Sequence, residues 1–227
     1  MPDRAKLRIV IFARTPAPGR VKTRLVGPLT AVQAAALHEA MVRDTAETAA
    51  AAPLNAERVL LFDGRWSGTP LPAGIRTGRQ AAGSLGDRLH AAFTEAFAGG
   101  ARAAIALGSD TPHLPPARLV EAAAALENHD AVVGPCEDGG YYLIGCRAGT
   151  AWTKLFDGVA WGTARVLEQT RVAARQAEVS LAELEPWYDL DRWDDVTRLA
   201  AEGAGAPLTR ATLAHFRVQG SKFKVQS

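Results

Sequence analysis

An acidic residue, Asp110, follows an apolar run at 103–107 that is typical of a buried strand. Open α/β folds bind ligands at the carboxyl ends of their parallel strands, so a carboxylate in this position indicates a metal ligand. The alternative is a helix N-cap, because Pro115 and Pro116 open an apolar helical segment just downstream. Asp110 lies a few residues early for a cap, which favours the metal ligand.

A basic loop follows the first predicted strand. Arg14, Arg20, Lys22 and Arg24 lie within a short turn that also contains Pro and Gly. Doubly wound sheets bind phosphate groups at this position, and the turn matches neither a Walker A loop nor a dinucleotide fingerprint. A solvated basic loop is the alternative, but the restricted backbone and the position favour a phosphate site.

The segment from Gln80 to Arg88 contains groups that suit a nucleobase. The Gln80 amide combines a donor with an acceptor, Gly83 permits close approach of the backbone, and Arg88 is a further expected nucleotide ligand. The alternative is an ordinary helix start, in which Ser84 caps the helix and Asp87 completes a capping box.

More carboxylates follow later in the chain. Asp138 precedes Gly-Gly and an apolar strand, so it either makes a hairpin turn or faces the same rim of the sheet as Asp110. Asp189 and Asp191 alternate along an extended segment, so we expect only one of them to face a shared site. Oxygen ligands without His or Cys select Mg²⁺ or Mn²⁺, with phosphate oxygens and water completing the shell.

Other reactive groups show no such pattern. The five histidines have no ligand spacing, and His113 is the one near Asp110. The two cysteines, Cys136 and Cys146, indicate neither a disulfide framework nor a zinc site. A Gly-x-Ser-x-Gly elbow is also lacking, which disfavours a hydrolase triad.

These residues need a scaffold, and strands and helices alternate along the chain. The alternation predicts a three-layer α/β/α fold with a mixed, mostly parallel sheet. A turn as short as Asp-Gly-Gly permits an antiparallel pair, whereas parallel strands need a crossover. The predicted strands are 7–13, 58–63, 75–77, 103–107, 131–134 and 141–146, and the predicted helices are 30–52, 84–97, 115–126, 161–175, 192–201 and 209–216.

Size and charge limit the class of protein. The 227 residues, 48% hydrophobic and 22% charged, can bury one core, so we expect a single domain over 1–218 and a disordered tail over 219–227. A net charge of +2 gives no reason to expect nucleic-acid or membrane partners. The N-terminus shows no signal peptide or membrane span, so we expect a cytoplasmic protein.

Taken together, these motifs resemble a known family. They comprise the segments 12–25, 108–114 and 138–145 and the Asp-x-Asp at 189–191. Across residues 7–200 the chain resembles the DUF2064 transferases, which belong to the GT-A, nucleotide-diphospho-sugar transferase superfamily. The guanylyltransferases of molybdopterin and phospholactate metabolism are more remotely similar.

The resemblance implies a role for each candidate residue. Asp110 and Asp191 would hold Mg²⁺ or Mn²⁺ on the donor's diphosphate, and Lys22 would stabilise the charge that develops there. Asp138 would orient or deprotonate the acceptor. The remaining expected nucleotide ligands are Arg14, Arg24, Gln80, Gly83 and Arg88.

The expected activity is therefore a metal-dependent transfer from a nucleotide or nucleotide-sugar donor to a small-molecule acceptor. Nucleotidyl transfer to a phosphorylated acceptor is slightly favoured by the four cations of the first loop, and glycosyl transfer is the alternative. A nucleotide-binding protein without turnover is a third hypothesis, because Arg192 could pair with Asp191 in place of a metal. A phosphatase is disfavoured, since Arg14 stands where its phosphate-accepting Asp would be. A homodimer is a further expectation.

Overall fold

The structure is a computed structural model that describes residues 7–66 and 68–219. Of the predicted tail, Gln219 ends the last helix, and 220–227 lie outside the described residues. Over the described residues, none of the helices combines the length and the apolar composition that a membrane span requires.

Seven strands of the described residues form one sheet in the order β3-β2-β1-β4-β6-β5-β7. Strand β6 runs antiparallel to β4 and β5, and the other pairs are parallel, so the predicted mixed, mostly parallel sheet is confirmed. The strands are β1 Leu7–Ala13, β2 Ala56–Phe62, β3 Ile75–Arg79, β4 Ala103–Gly108, β5 Ala131–Pro135, β6 Tyr141–Arg147 and β7 Leu181–Glu183.

The predicted helices are present, with one displaced start. The fourth begins at Val166 rather than at Trp161, because 161–165 form a loop in which Gly162 has φ +78° and the Trp161 indole packs against Gly86. The helices are α1 Ala31–Ala51, α2 Leu85–Ala98, α3 Pro116–Asn128, α4 Val166–Gln176, α5 Trp193–Glu202 and α6 Pro207–Gln219, with short 3₁₀ helices at Thr23–Leu25 and Trp152–Phe156.

Apolar clusters on both faces of the sheet hold the layers together. On one face, Val42 of α1 and Leu119 of α3 pack in the same cluster as Ile11 of β1. On the other face, Phe93 of α2 packs with Leu155 and its neighbours. Fully burying side chains of this size contributes about 1.5–3 kcal/mol each to stability. The sheet and the helical layer on each of its faces form the predicted three-layer fold.

The strand order creates a crevice at the carboxyl ends of the inner parallel strands. Strand β1 lies inside the sheet, with β2 and β3 on one side and β4 on the other. The loops that leave β1 and β4 therefore diverge, which is the arrangement at which open α/β sheets bind ligands. These are the loops that contain Lys22 and Asp110.

Candidate active site

A cleft of about 620 Å³ opens between the loops that follow β1 and β4. It brings cations and carboxylates from distant parts of the chain into the walls of one space. The charged residues along its walls are Arg14, Lys22, Arg24, Arg88, Asp110, Asp189 and Asp191.

Lys22 lies at the centre of this charge cluster. Its Nζ is 2.7 Å from Oδ1 of Asp110 and 2.7 Å from Oδ1 of Asp191, and it donates to the Leu190 carbonyl at 2.9 Å. Only 4% of the Lys22 side chain is exposed. Burial disfavours the ammonium, but the two carboxylates outweigh that effect and raise the pKa of Lys22 above its usual value. Burial likewise opposes ionisation of Asp110, but Lys22, together with His38 and Arg14, outweighs burial and holds the pKa of that carboxyl below its usual range.

A tight turn directs Lys22 into the cluster. Gly19 has φ +74°, and the Arg20 N–H donates to the Ala17 carbonyl at 3.0 Å. Lys22 itself has φ 47°, a left-handed conformation that side-chain-bearing residues seldom adopt. The 3₁₀ helix that follows buries Leu25, which fixes the far end of the turn.

Asp191 reaches Asp110 through backbone pairing of the segment after β7. The Trp187 N–H donates to the Pro135 carbonyl at 2.9 Å, and the Leu190 N–H donates to the Asp110 carbonyl at 2.8 Å. The second of these bonds joins the late Asp-x-Asp segment directly to the loop after β4. This long-range contact places Asp191 beside Asp110.

The structure does not support the proposed pairing of Arg192 with Asp191. The Asp195 carboxylate accepts from the backbone N–H groups of Asp191 and Arg192, at 3.0 and 2.6 Å, at the start of α5. The cations that pair with Asp191 are Lys22, at 2.7 Å, and Arg24, at 3.3 Å. Lys22 therefore makes the ion pair that the hypothesis of a binding protein without turnover assigned to Arg192.

The donors in this cluster suit a divalent metal. Carboxylate oxygens of Asp110 and Asp191 converge on one cationic centre, the Lys22 ammonium, so a single cation can contact both. Oxygen ligands of this kind are those that Mg²⁺ and Mn²⁺ prefer. The predicted ligands are compatible with the predicted metal.

Asp189 also lines the cleft, so the expectation that only one member of the Asp-x-Asp faces the site is wrong. Residues 188–191 form no regular strand, and strict alternation of side chains does not apply to them. The Cys136 thiol donates to Asp189 Oδ1 at 3.2 Å. Burial, with the charge of Asp110 nearby, raises the pKa of Asp189 to about 7. The Asp-x-Asp motif indicated Asp189, but the assumption that the motif lies on a regular strand excluded one of its two carboxylates from the site.

Asp138 lies beside the cleft rather than in its wall. Its Oδ1 accepts from the Gly140 N–H at 2.9 Å, so the predicted hairpin turn is confirmed. Its carboxylate also lies within 4.8 Å of ligand atoms of Cys136 and Asp189. Asp138 is therefore close to the cleft residue Asp189, and its role in binding the acceptor stays a proposal.

The amide of Gln80 is already paired within the protein. Its Nε2 donates to the carbonyls of Ala13 and Leu61, at 2.8 and 3.0 Å, and its Oε1 accepts from Arg88 at 3.0 Å. Arg88 Nε in turn donates to the Gly83 carbonyl at 3.1 Å. Gln80 thus ties the ends of β1 and β2 together at the rim of the cleft.

The helix start after Gln80 is the one expected for an ordinary cap. The Asp87 N–H donates to Ser84 Oγ at 3.2 Å, and the Ser84 N–H donates to the Asp87 carboxylate at 2.8 Å, so the capping box is confirmed. Since both amide hydrogens of Gln80 are engaged, a base at this rim would meet Arg88 and the backbone around Gly83 instead.

His38 is a cleft residue that sequence spacing did not indicate. Its Nε2 lies 3.0 Å from the Arg14 carbonyl, and the ring is buried in the cleft wall. Burial lowers the pKa of His38, so its neutral form is favoured. His113, expected near the site, instead packs its ring 5.5 Å from that of Trp187 and 4.2 Å from that of Tyr188.

The class comes first: an α/β protein with its charge cluster at the switch point of the sheet, and of the GT-A, nucleotide-diphospho-sugar transferase type by its structural likeness. The family described as "Uncharacterized protein conserved in bacteria (DUF2064)" matches residues 31–163, and the chain belongs to this family. A protein from Desulfovibrio desulfuricans G20, described as a candidate nucleotide-diphospho-sugar transferase, has 30% identity and a TM-score of 0.83 over 93% of this chain and 95% of its own.

More distant structures share the fold alone. A CMP:2-keto-3-deoxy-manno-octonic acid synthetase complexed with CTP is 13% identical with a TM-score of 0.55, covering 87% of this chain and 98% of its own. The 4-diphosphocytidyl-2C-methyl-D-erythritol synthase from Anaerococcus prevotii DSM 20548 is 8% identical with a TM-score of 0.53, covering 87% and 96%. A search of curated proteins gave no match. The predicted family and fold are confirmed, and a transferase is supported.

Proposed function

We propose that the protein is a metal-dependent transferase with a nucleotide donor, acting by nucleotidyl transfer to a phosphorylated acceptor. One observation carries the proposal: Lys22, Asp110 and Asp191 converge within hydrogen-bond distance at the switch point of the sheet. This arrangement combines a phosphate-binding cation with a pair of metal-binding carboxylates. The CTP complex of one distant structural relative supports a nucleotide donor for this fold.

The donor would lie along the basic side of the cleft. Arg14 and Arg24 are exposed there and would bind the donor's phosphates together with Lys22. Asp110 and Asp191 would hold Mg²⁺ or Mn²⁺, which neutralises charge on the phosphates when bound. The base would extend towards the rim that contains Gln80, Gly83 and Arg88.

The acceptor would enter from the opposite side, beside Asp189 and Asp138. In nucleotidyl transfer, a phosphate oxygen of the acceptor forms a bond to the donor's α-phosphorus, and the bond from that phosphorus to the leaving pyrophosphate breaks. Asp138 would orient the acceptor for this attack through a polar group other than the acceptor's phosphate, which a carboxylate repels. Cations stabilise the charge on the leaving group, which is the task of Lys22 and Arg24.

Glycosyl transfer is a second candidate, and the carboxylates on the acceptor side favour it. Asp189 lines that side and Asp138 lies close to it, whereas the cations of the cleft wall come from the loop after β1 and from α2. A carboxylate can accept the proton of an attacking hydroxyl, whereas it repels a phosphate. In this reaction the acceptor hydroxyl attacks the anomeric carbon of the donor sugar, and the nucleoside diphosphate leaves.

A donor screen separates these reactions. The protein is incubated with each nucleoside triphosphate or nucleotide sugar, with Mg²⁺, Mn²⁺ or EDTA, and with phosphorylated or hydroxyl-bearing small molecules. We expect one donor to give a new product mass with metal, released pyrophosphate indicating nucleotidyl transfer and released nucleoside diphosphate indicating glycosyl transfer. A protein that binds a donor tightly and converts none would instead be a binding protein without turnover.

Single-domain organisation over 1–218, a cytoplasmic location, a small-molecule acceptor and a homodimer remain parts of this proposal. Both cysteines, Cys136 and Cys146, are free and buried, as expected in a reducing compartment. Light scattering of the purified protein tests the homodimer, which predicts twice the 24.0 kDa mass of one chain.

A further inference from the structure

The hydrogen bonds of Lys22 leave it no capacity to bind a donor phosphate in this conformation. A lysine ammonium has three donor hydrogens. Three oxygens lie within hydrogen-bond distance of Nζ: one each from Asp110, Asp191 and the Leu190 carbonyl. A phosphate can therefore be bound by Lys22 only after some of these contacts break.

The same contacts also exclude a metal. Nζ occupies the point on which the Asp110 and Asp191 oxygens converge, at 2.7 Å from each. A divalent cation held by both carboxylates needs that position, and it would repel the ammonium. Lys22 and the metal are thus alternative partners of one carboxylate pair.

We propose that Lys22 is an internal counter-ion that competes with the divalent metal for Asp110 and Asp191 and leaves them when the metal and the donor phosphates bind. This inference rests on the proposed function of the site. It makes metal and donor binding mutually reinforcing, because the metal releases the lysine that the phosphates need, and the phosphates hold the lysine that the metal displaces. Such coupling is reciprocal between the two ligands.

The surrounding structure allows the lysine to move while the backbone that carries the two carboxylates stays in place. Asp191 is fixed through the Leu190 N–H bond to the Asp110 carbonyl and through its own N–H bond to Asp195, neither of which involves Lys22. Lys22 lies on a turn beside Gly19, in a left-handed conformation that is costly for a lysine. Its departure therefore leaves the backbone of Asp110 and Asp191 positioned for both carboxylates to bind one metal.

Metal binding without nucleotide tests this competition. The binding of Mn²⁺ to the wild type, to Lys22→Met and to Arg24→Met is measured by calorimetry, with no nucleotide present. Arg24 is the matched control, because it also pairs with Asp191, at 3.3 Å, but is 66% exposed. Loss of a charge-assisted hydrogen-bond competitor predicts about 10-fold or greater tightening in Lys22→Met and less than about 3-fold in Arg24→Met. Equal affinities in the two variants would overturn the proposal.

A second measurement uses the wild type alone, in case Lys22→Met does not fold. Hydrogen exchange of the backbone amides in residues 19–25 is followed while Mn²⁺ is added without nucleotide. We expect exchange to rise as the metal binds, because the lysine contacts that hold the turn are lost. Unchanged exchange at saturating Mn²⁺ would show that metal and lysine bind together, contrary to the proposal.

These outcomes are independent of the donor screen. If the protein transfers a nucleotidyl group but Lys22→Met binds Mn²⁺ no more tightly than Arg24→Met, the competition is wrong and the proposed function stands. If Lys22→Met binds Mn²⁺ more tightly but no donor is converted, the competition stands and the proposed function is wrong.

Discussion

At the scale of single residues, exposure and hydrogen bonding show which side chains of the cleft are available to a ligand. Arg14 and Arg24 are exposed in the cleft. By contrast, both hydrogens and the oxygen of the Gln80 side-chain amide already have hydrogen-bond partners within the protein. Residue type alone indicated Gln80 as a base reader, because an amide suits that task. Its hydrogen bonds to β1 and β2 show instead that it joins the ends of these two strands.

Replacing Gln80 by Glu tests this role. The carboxylate cannot donate to the carbonyls of Ala13 and Leu61, which would lose their partners at the rim of the cleft. We expect a loss of roughly 1–3 kcal/mol in the free energy of unfolding, measured by urea denaturation at pH 7. The half-buried Gln33 accepts the exposed cap bond from the Thr30 N–H of α1 instead, and Gln33→Glu serves as the control with a smaller effect. Equal stability of Gln80→Glu and the wild type would show that these bonds contribute little.

His113 gives the protein a pH dependence that is separate from the cleft. Among the residues that the structure describes, neither of its buried ring nitrogens has a hydrogen-bond partner, and the ring packs against Trp187 and Tyr188. Burial is the main cause that lowers the pKa of His113 to about 4. The surrounding charges are mixed in sign, with Glu202 and Asp195 raising this pKa and Arg198 and Arg210 lowering it.

Stability should therefore fall on acidification. The unfolded chain protonates His113 near its ordinary pKa of 6.5, and the folded protein only near 4, so stability present above pH 6.5 is lost as the pH falls towards 4. The loss attributable to this group is up to about 3 kcal/mol. Denaturation from pH 8 to 4 should show a shallower fall in His113→Phe than in the wild type. Parallel curves for the two proteins would contradict this assignment.

At the scale of elements, most strands and helices follow from periodicity, since they are long or buried on both faces. Strand β1 was predicted at its observed bounds, and α1 begins at the capping box of Thr30 and Gln33. Strand β7 was missed because three residues carry too little pattern to predict. The start of α4 was misplaced because Trp161 is apolar enough for a helix, while its contact with Gly86 of α2 is visible only in three dimensions.

One contact between elements predicts a specific loss of stability. Asp44 of α1 is 1% exposed and accepts from the N–H groups of Leu208 and Thr209, at 3.1 and 2.7 Å. A buried carboxylate at the start of α6 satisfies donors that the helix cannot pair itself. We expect Asp44→Ala to lower the free energy of unfolding by about 1–3 kcal/mol, measured by chemical denaturation. Asp87→Ala removes the exposed cap of α2 and should cost less.

At the scale of the whole molecule, the sequence indicated which groups form the site but not how they pair. Asp110, Lys22 and Asp191 were each identified from motifs, and the switch point explains why the first two meet. Their shared ion pair depends on the path of residues 187–191 from the end of β5 to the loop after β4, which no local pattern encodes. For the same reason the hypothesis of a binding protein without turnover paired Asp191 with its neighbour, Arg192.

The central claim is that a nucleotide donor binds this protein through a metal held by Asp110. The most direct measurement is the melting temperature with each nucleoside triphosphate or nucleotide sugar, in Mn²⁺ and in EDTA, for the wild type and Asp110→Asn. We predict that at least one donor raises the melting temperature of the wild type in Mn²⁺, and that EDTA or Asp110→Asn largely removes the increase. Stabilisation by a donor that is unchanged by both EDTA and Asp110→Asn would contradict the claim.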